Sequence, residues 1–543
     1  MVNEPGKRLV GDAQADYVLT GGTVYDGLGG PPVQSDVAIR GDRIVDIASG
    51  LASKYAAARQ IDVTGLSVTP GFIDIHTHSD ISVLVNPLME SSVHQGVTTE
   101  VVGNCGMSIA STLPTAEFAF ERSWLERSGL QMTWGSFAGF LRAVEEQGVA
   151  INICSQTGHG TLRKQVIGVD DRPPSPSELT RMQSLVESAM SDGAVGLSTG
   201  LEYLPGGYAN LDEIVALASV AHAAGGFYSS HIRNEGDTLL ESVDEAIAVG
   251  KRTGIPVQVS HLKAEGRKNW GKVSAVLQHM DDARKAGFDV LTDQYPYTAF
   301  MTGLQVVLLP KWAMAGTIDD MLERLSNSTT RTQIRDEILR NPPDWTKIQI
   351  AVSRKRRDTQ GLTLERLGAR EGKHPLDAAL DLLLDEGGWL AAAHFALSET
   401  DLETVLRDPH TMIGSDGVST APRGALAEDQ THPRTYGTFP RVLASCVRDR
   451  GIIPLAEAIR RMTSLPAGRI GLRDRGRLAV GMKADVTVFK AGEIADVATF
   501  ETPHKFAVGI EYVFVNGRIA LENGVQRDVR PGRVLRRENG AVA

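Results

Sequence analysis

The feature that most limits how this chain can fold is a long alternation of short apolar runs with helical stretches. Eight runs occur in order: 71–76, 99–103, 150–154, 194–198, 226–231, 256–261, 288–293 and 411–416. Short β-rich segments separated by amphipathic ones are the pattern of βα units and a parallel sheet. Eight of them predict an α/β fold of (β/α)8 TIM-barrel type, closed rather than open. The interval before the last run, about 298–410, is too long for a simple crossover. Part of it, around 300–400, reads as an insertion beside the mouth, with helix expected over Trp312 to Leu339.

The two ends of the chain have a different texture. Tyr17-Val18-Leu19-Thr20, Asp36-Val37-Ala38-Ile39, Val486-Thr487-Val488-Phe489 and Val513-Phe514-Val515 are β-rich runs split by Gly and Asp turns. The expected organisation is a small β-sandwich built from 1–68 and 476–543, with a metal-dependent barrel over 69–475 between them. A length of 543 residues accommodates both units.

Composition removes several function classes. A formal net charge of −10 argues against a nucleic-acid partner. No stretch of eighteen apolar residues is present, so no membrane span is expected. Residues 1–8 carry no apolar core of the kind a secretory signal needs. Three cysteines, Cys105, Cys154 and Cys446, are too few and too odd for a disulfide framework. They point to a reducing cytoplasm. The expected partner is a small-molecule substrate.

Polar residues recur where the runs end, the face on which barrel enzymes keep their active sites. His76 and His78 are spaced i, i+2, which in an extended strand turns both imidazoles the same way. Cys105 follows the second run between Asn104 and Gly106, and a thiolate is a strong zinc ligand. His231 and His261 each end a run and each follow a serine. Asp416 ends the eighth run, which closure would set beside the first. Each residue alone has a bland reading as core or turn, but their common position favours a divalent metal with an aspartate beside it. Cys154 and Cys446 lack such company and read as core.

Taken together, the segments GFIDIHTHSD (71–80), GVTTEVVGNCG (96–106), GLEYLPGGYA (200–209), SSHIRNEG (229–236), VSHLKAEG (259–266), DQYPYTA (293–299), IGSDG (413–417) and HPRTYGTFPRVL (432–443) resemble the amidohydrolase superfamily. More narrowly they resemble its N-acyl-D-amino-acid deacylases, or D-aminoacylases. The resemblance implies zinc-dependent hydrolysis of the amide bond of N-acyl-D-amino acids. It implies a tight zinc on Cys105, His231 and His261, and a weaker metal position at His76 and His78 bridged by Cys105. Asp416 would be the general base and acid, and Lys263, Tyr295 and Arg434 would face the substrate carboxylate. The fourth run, Gly193 to Gly200, has no lysine to bridge two metals, unlike many cyclic-amide hydrolases. Phe300-Met301-Thr302 and a long 418–431 loop depart from the family pattern. They keep open a second reading, an amidohydrolase for an amide without that carboxylate.

Overall fold

The computed structural model describes residues 14–109, 124–538 and 541–542. Residues 1–8, expected to carry no secretory signal, lie outside the described residues. The architecture is mixed α/β. Strands Phe72–Asp74, Val97–Val102 and Asn152–Ser155 pair in parallel. A second parallel set runs in the order Thr157–Gly158, Gly196–Gly200, Phe227–His231, Val257–Val259, Val290–Gln294 and Thr411–Ile413. Thr157–Gly158 follows Asn152–Ser155 after one residue, so a single pass of the chain belongs to both sets.

The last pass is hydrogen-bonded to the first. Thr77 bridges Gly417 in parallel. The His78 amide donates to the Gly417 carbonyl at 2.7 Å, and the Asp416 amide donates to the His76 carbonyl at 2.8 Å. Most of these strands are buried along their whole length. That is what parallel strands covered on both faces require, and it is why they appear in the sequence as continuous apolar runs.

Helices between the strands start at strong caps. Ser175 and Glu178 form a capping box on Pro176–Ser191, with Pro176 at its first turn. Asn210 caps Leu211–Ala223 by accepting from the Glu213 amide. All eight expected runs are present as strands, though several end earlier than their apolar character suggests. Phe72–Asp74 stops before His76, and Thr411–Ile413 stops before Asp416. Pairing resumes at the parallel Thr77–Gly417 bridge. His76 and His78 flank Thr77 in that bridge, so the i, i+2 spacing sets both side chains on one side of it.

Both chain ends enter one sheet. Its order is Val525–Gln526, Arg518–Glu522, Ile510–Val515, Val486–Phe489, Ser67–Pro70, Tyr17–Val24, Val33–Arg40 and Arg43–Ala48, with Arg59–Asp62 also paired to Tyr17–Val24. The Val486–Phe489 to Ser67–Pro70 pairing is antiparallel and joins the N-terminal strands to the C-terminal ones.

The interval before the last parallel strand is a folded insertion with its own apolar core, including Leu304, Leu325, Ile334, Ile350, Leu367 and Leu380. Helices Lys311–Met314, Ile318–Ser326 and Ser328–Arg340 fall in the stretch expected to be helical. Its three-stranded antiparallel sheet, Phe300–Gly303, Ala391–His394 and Ile348–Val352, was not anticipated. Ala391-Ala392-Ala393-His394 carries little β-propensity, and its strand state comes from pairing on both sides.

Candidate metal centre

Two donor clusters share one thiolate. Cys105, His231 and His261 form one group, and His76, His78, Cys105 and Asp416 form another. Within each, one ligand atom per residue lies within 4.8 Å of the others. Cys105 Sγ is 3.3 Å from His76 Nε2 and 3.5 Å from His261 Nε2. His231 Nδ1 lies 2.9 Å from His261 Nε2. Imidazole lone pairs aimed at each other and at a sulfur repel unless a cation or a proton lies among them. Each cluster offers three thiolate and imidazole donors, the kind zinc takes in a site that keeps its fourth position open, so these residues fit that ion.

The local backbone explains how such distant residues meet. Among the described residues only six non-glycines have positive φ, and three are Cys105 (53°), His261 (33°) and Asp416 (50°). Gly103 and Gly106 flank Cys105 at φ 77° and 72°. A Cβ on Gly103 would lie 2.3 Å from the Gln156 carbonyl oxygen, and one on Gly106 would lie 2.5 Å from the Gly200 nitrogen. Glycine is required because neighbouring backbones touch the loop there.

Each of three imidazoles has a carboxylate at its outer nitrogen. His76 Nδ1 is 3.2 Å from Asp293, His231 Nε2 is 2.9 Å from Glu202, and His261 Nδ1 is 3.0 Å from Glu235. A carboxylate there fixes tautomer and ring orientation and makes the inner nitrogen a better donor. Sequence reasoning missed all three acids. The available signals were Glu202 in GLEYLPGGYA and Glu235 in SSHIRNEG, close behind His231.

Electrostatics match the donor set. Burial pushes the Cys105 thiol up, yet His76, His231 and His261 hold it well below its usual range. Burial disfavours charge on His231, but Glu235, Cys105 and Glu202 bring it up to about 10. A cation entering this cluster would displace protons, so binding would be coupled to pH. Asp416 is likewise buried, but Arg434 above all and the nearby imidazoles keep its carboxyl well below the usual range. Its Oδ1 is 3.2 Å from His78 Nε2 and 3.5 Å from His76 Nε2, and its Oδ2 is 2.7 Å from the Arg434 guanidinium.

The remaining candidates separate. Arg434 stacks on Tyr295, 4.9 Å from its ring centre, and lines the cavity. Lys263 also lines the cavity, but its ammonium donates to Glu235 at 2.6 Å and to the His261 carbonyl at 3.0 Å. The Tyr295 hydroxyl is buried and has no hydrogen-bond partner among the described residues. Cys154 and Cys446 are buried and belong to neither donor cluster.

A cavity of about 460 Å³ opens over the two clusters. His78, Cys105, His231, His261, Asp416 and Arg434 form its polar floor. Met301, Met314, Ile318, Met321 and Trp389 of the insertion form an apolar wall. Among the described residues no helix is long and apolar enough to cross a membrane.

A model of the amidohydrolase family matches residues 59–521. N-acyl-D-glutamate deacylase of Alcaligenes xylosoxydans xylosoxydans is 39% identical over 96% of this chain and 97% of its own length. D-aminoacylase of the same organism is 36% identical over 96% of this chain and 98% of its own. The solved N-acyl-D-glutamate deacylase of Bordetella bronchiseptica, complexed with zinc and a phosphonate mimic of the tetrahedral intermediate, superposes with a TM-score of 0.81. It is 34% identical and covers 97% of this chain and 100% of its own.

Proposed function

This chain belongs to the amidohydrolase family, and from that premise we propose that it is a zinc-dependent deacylase of N-acyl-D-amino acids. It cleaves the linear amide bond to give a carboxylate and a free D-amino acid. The observation that carries this reading is the thiolate of Cys105 shared between two donor clusters, with Asp416 at their edge. Deacylases of N-acyl-D-amino acids matching nearly end to end supply the substrate class.

Cys105, His231 and His261 would hold the tighter zinc, and His76 and His78, with Cys105, a neighbouring weaker position. Zinc in such a site supplies a Lewis acid for the amide carbonyl and makes a water acidic near neutral pH. Asp416 is held ionised by Arg434, so it stands ready to take the proton from the attacking water. It returns that proton to the departing nitrogen, since an amine leaves poorly without one. Arg434, stacked on Tyr295 and facing the cavity, would meet the substrate carboxylate. Lys263, bound to Glu235, would add positive potential on the same side. The eight parallel passes are read as a closed barrel over 69–475, and the terminal sheet as a β-sandwich of 1–68 and 476–543. Three buried, unpaired thiols suit a cytoplasmic enzyme.

The deciding experiment is a screen of N-acetyl-D- and N-acetyl-L-amino acids with zinc-loaded enzyme, alongside Asp416→Asn. Free D-amino acid should appear and the L series should not react. Asp416→Asn should keep its zinc and lose about 10²- to 10⁴-fold in turnover. Wild-type rates in Asp416→Asn would overturn the role given to that carboxylate.

A further inference from the structure

His432 is buried, with 1% of its surface exposed, and both ring nitrogens are committed. Its Nε2 lies 3.0 Å from the Ala299 carbonyl oxygen, and its Nδ1 lies 3.0 Å from the Arg434 amide. A carbonyl only accepts and a backbone N–H only donates, so the ring must be neutral with its proton on Nε2. Those two partners belong to different loops. Ala299 ends the segment that carries Tyr295, and Arg434 begins the helix Arg434–Arg441. The ring packs edge-on against Tyr297 at 5.3 Å and Phe500 at 4.7 Å, which leaves it no room to turn.

We propose that His432 is a positioning residue that ties the Tyr295–Ala299 segment to the start of the Arg434 helix and so fixes the Arg434 guanidinium between Tyr295 and Asp416. The geometry has a direct consequence. The Arg434 amide is anchored to the ring while its side chain stacks on Tyr295 at 4.9 Å and reaches Asp416 at 2.7 Å. Loss of the ring frees both loops at once, and the guanidinium loses its fixed distance from Asp416 and from the cavity. The inference deepens the proposed function, because it rests on Arg434 meeting the substrate carboxylate.

The test compares His432→Asn, His432→Gln and His432→Ala with Arg434→Ala and with the double variant His432→Ala/Arg434→Ala. Kinetics use N-acetyl-D-methionine, and zinc content is measured throughout. Asparagine keeps an acceptor where Nδ1 stands but loses the link to Ala299, and glutamine keeps an N–H near Nε2 but loses the acceptor for the Arg434 amide, so neither should recover the loss. His432→Ala should raise KM and lower kcat/KM by about tenfold or more, the scale of one lost buried hydrogen bond, with zinc unchanged. The double variant should be no worse than Arg434→Ala alone. Full additivity in that double variant, or wild-type kinetics in either the Asn or the Gln variant, overturns the proposal. If His432→Ala does not fold, the Asn–Gln pair decides. Nitrogen-15 spectra of labelled histidine give a reading independent of turnover. The resonance lost in His432→Asn should be a neutral imidazole with the proton on Nε2, and any other tautomer overturns the clamp. A parent enzyme without deacylase activity instead overturns the proposed function, and the spectrum then decides the clamp.

Discussion

Glu235→Gln separates two things that the carboxylate does in this structure. Its Oε1 lies 2.6 Å from the Lys263 ammonium and 3.0 Å from His261 Nδ1, and both acid and lysine side chains are 4% exposed. The amide is nearly isosteric, so the change removes charge without opening a cavity. Lys263 is then left buried with no neutralising partner. Breaking a buried pair in this way costs about 3–5 kcal/mol. Under the proposed function the acid also orients a ligand. If His261 Nε2 gives its lone pair to the metal, Nδ1 carries the proton and donates to Glu235 at 3.0 Å. Loss of a carboxylate behind a ligating imidazole costs about 10- to 100-fold in metal affinity. Converted to free energy, that is a further loss of about 1.4–2.7 kcal/mol, visible only when zinc is present. Urea unfolding in chelator isolates the first part, and competition with a chromophoric zinc chelator isolates the second. The variant should lose stability in both conditions, and more with zinc than without. An unchanged unfolding midpoint in chelator, together with zinc affinity within about twofold of wild type, would refute both roles of this acid.

Three further outcomes follow from individual residues. Cys105→Ala removes the donor common to both clusters, and the protein should purify without stoichiometric zinc by elemental analysis while keeping its circular dichroism. Gly106→Ala should cost about 2 kcal/mol or more in urea unfolding, because the residue sits at φ 72° and its new Cβ would meet the Gly200 nitrogen at 2.5 Å. The pH dependence of stability carries a His432 signature. Burial first, and then Arg434, hold its imidazole well below 6.5. Below pH 6.5 the unfolded chain therefore takes up a proton that the folded chain refuses, and stability falls with pH by up to about 1.4 kcal/mol per unit. His432→Asn should have a slope shallower by one proton between about pH 6.5 and 5, and identical slopes would show that His432 titrates normally.

What the sequence made legible follows from where each residue's role is decided. The parallel strands were readable because burial on both faces turns them into apolar runs such as Val97 to Val102. The ligand candidates were readable because imidazole and thiolate at strand ends are unusual there. The acids behind them were not. Glu202, Glu235 and Asp293 act through contacts with His231, His261 and His76, all distant in the chain, so the segments that hold them mark their presence but not the imidazole each one meets. Lys263 has a second contact that residue type alone does not announce. Its type and position suited a substrate carboxylate, and in the structure it lines the cavity while its ammonium also meets Glu235 of the protein itself. The antiparallel sheet in the insertion was hidden because its middle strand is three alanines and a histidine, and its state is set by two neighbours.

Asp293 shows how the centre holds strained residues in place. Its carboxylate lies 3.2 Å from His76 Nδ1, accepts from the His261 amide at 2.9 Å and accepts from the Gln258 side chain at 2.6 Å. The first contact sets the ring of one candidate ligand, and the second holds the backbone of another at φ 33°. A left-handed backbone at a non-glycine residue costs about 1–3 kcal/mol and persists only where its surroundings over-determine it. Asp416, at φ 50°, is fixed by its own amide on the His76 carbonyl. One acid behind the strands and one backbone link between the last pass and the first thus connect His76, His261 and Asp416. Moving any of the three disturbs the other two, so the geometry of the candidate ligands and of Asp416 is a property of strand pairing as much as of the side chains themselves.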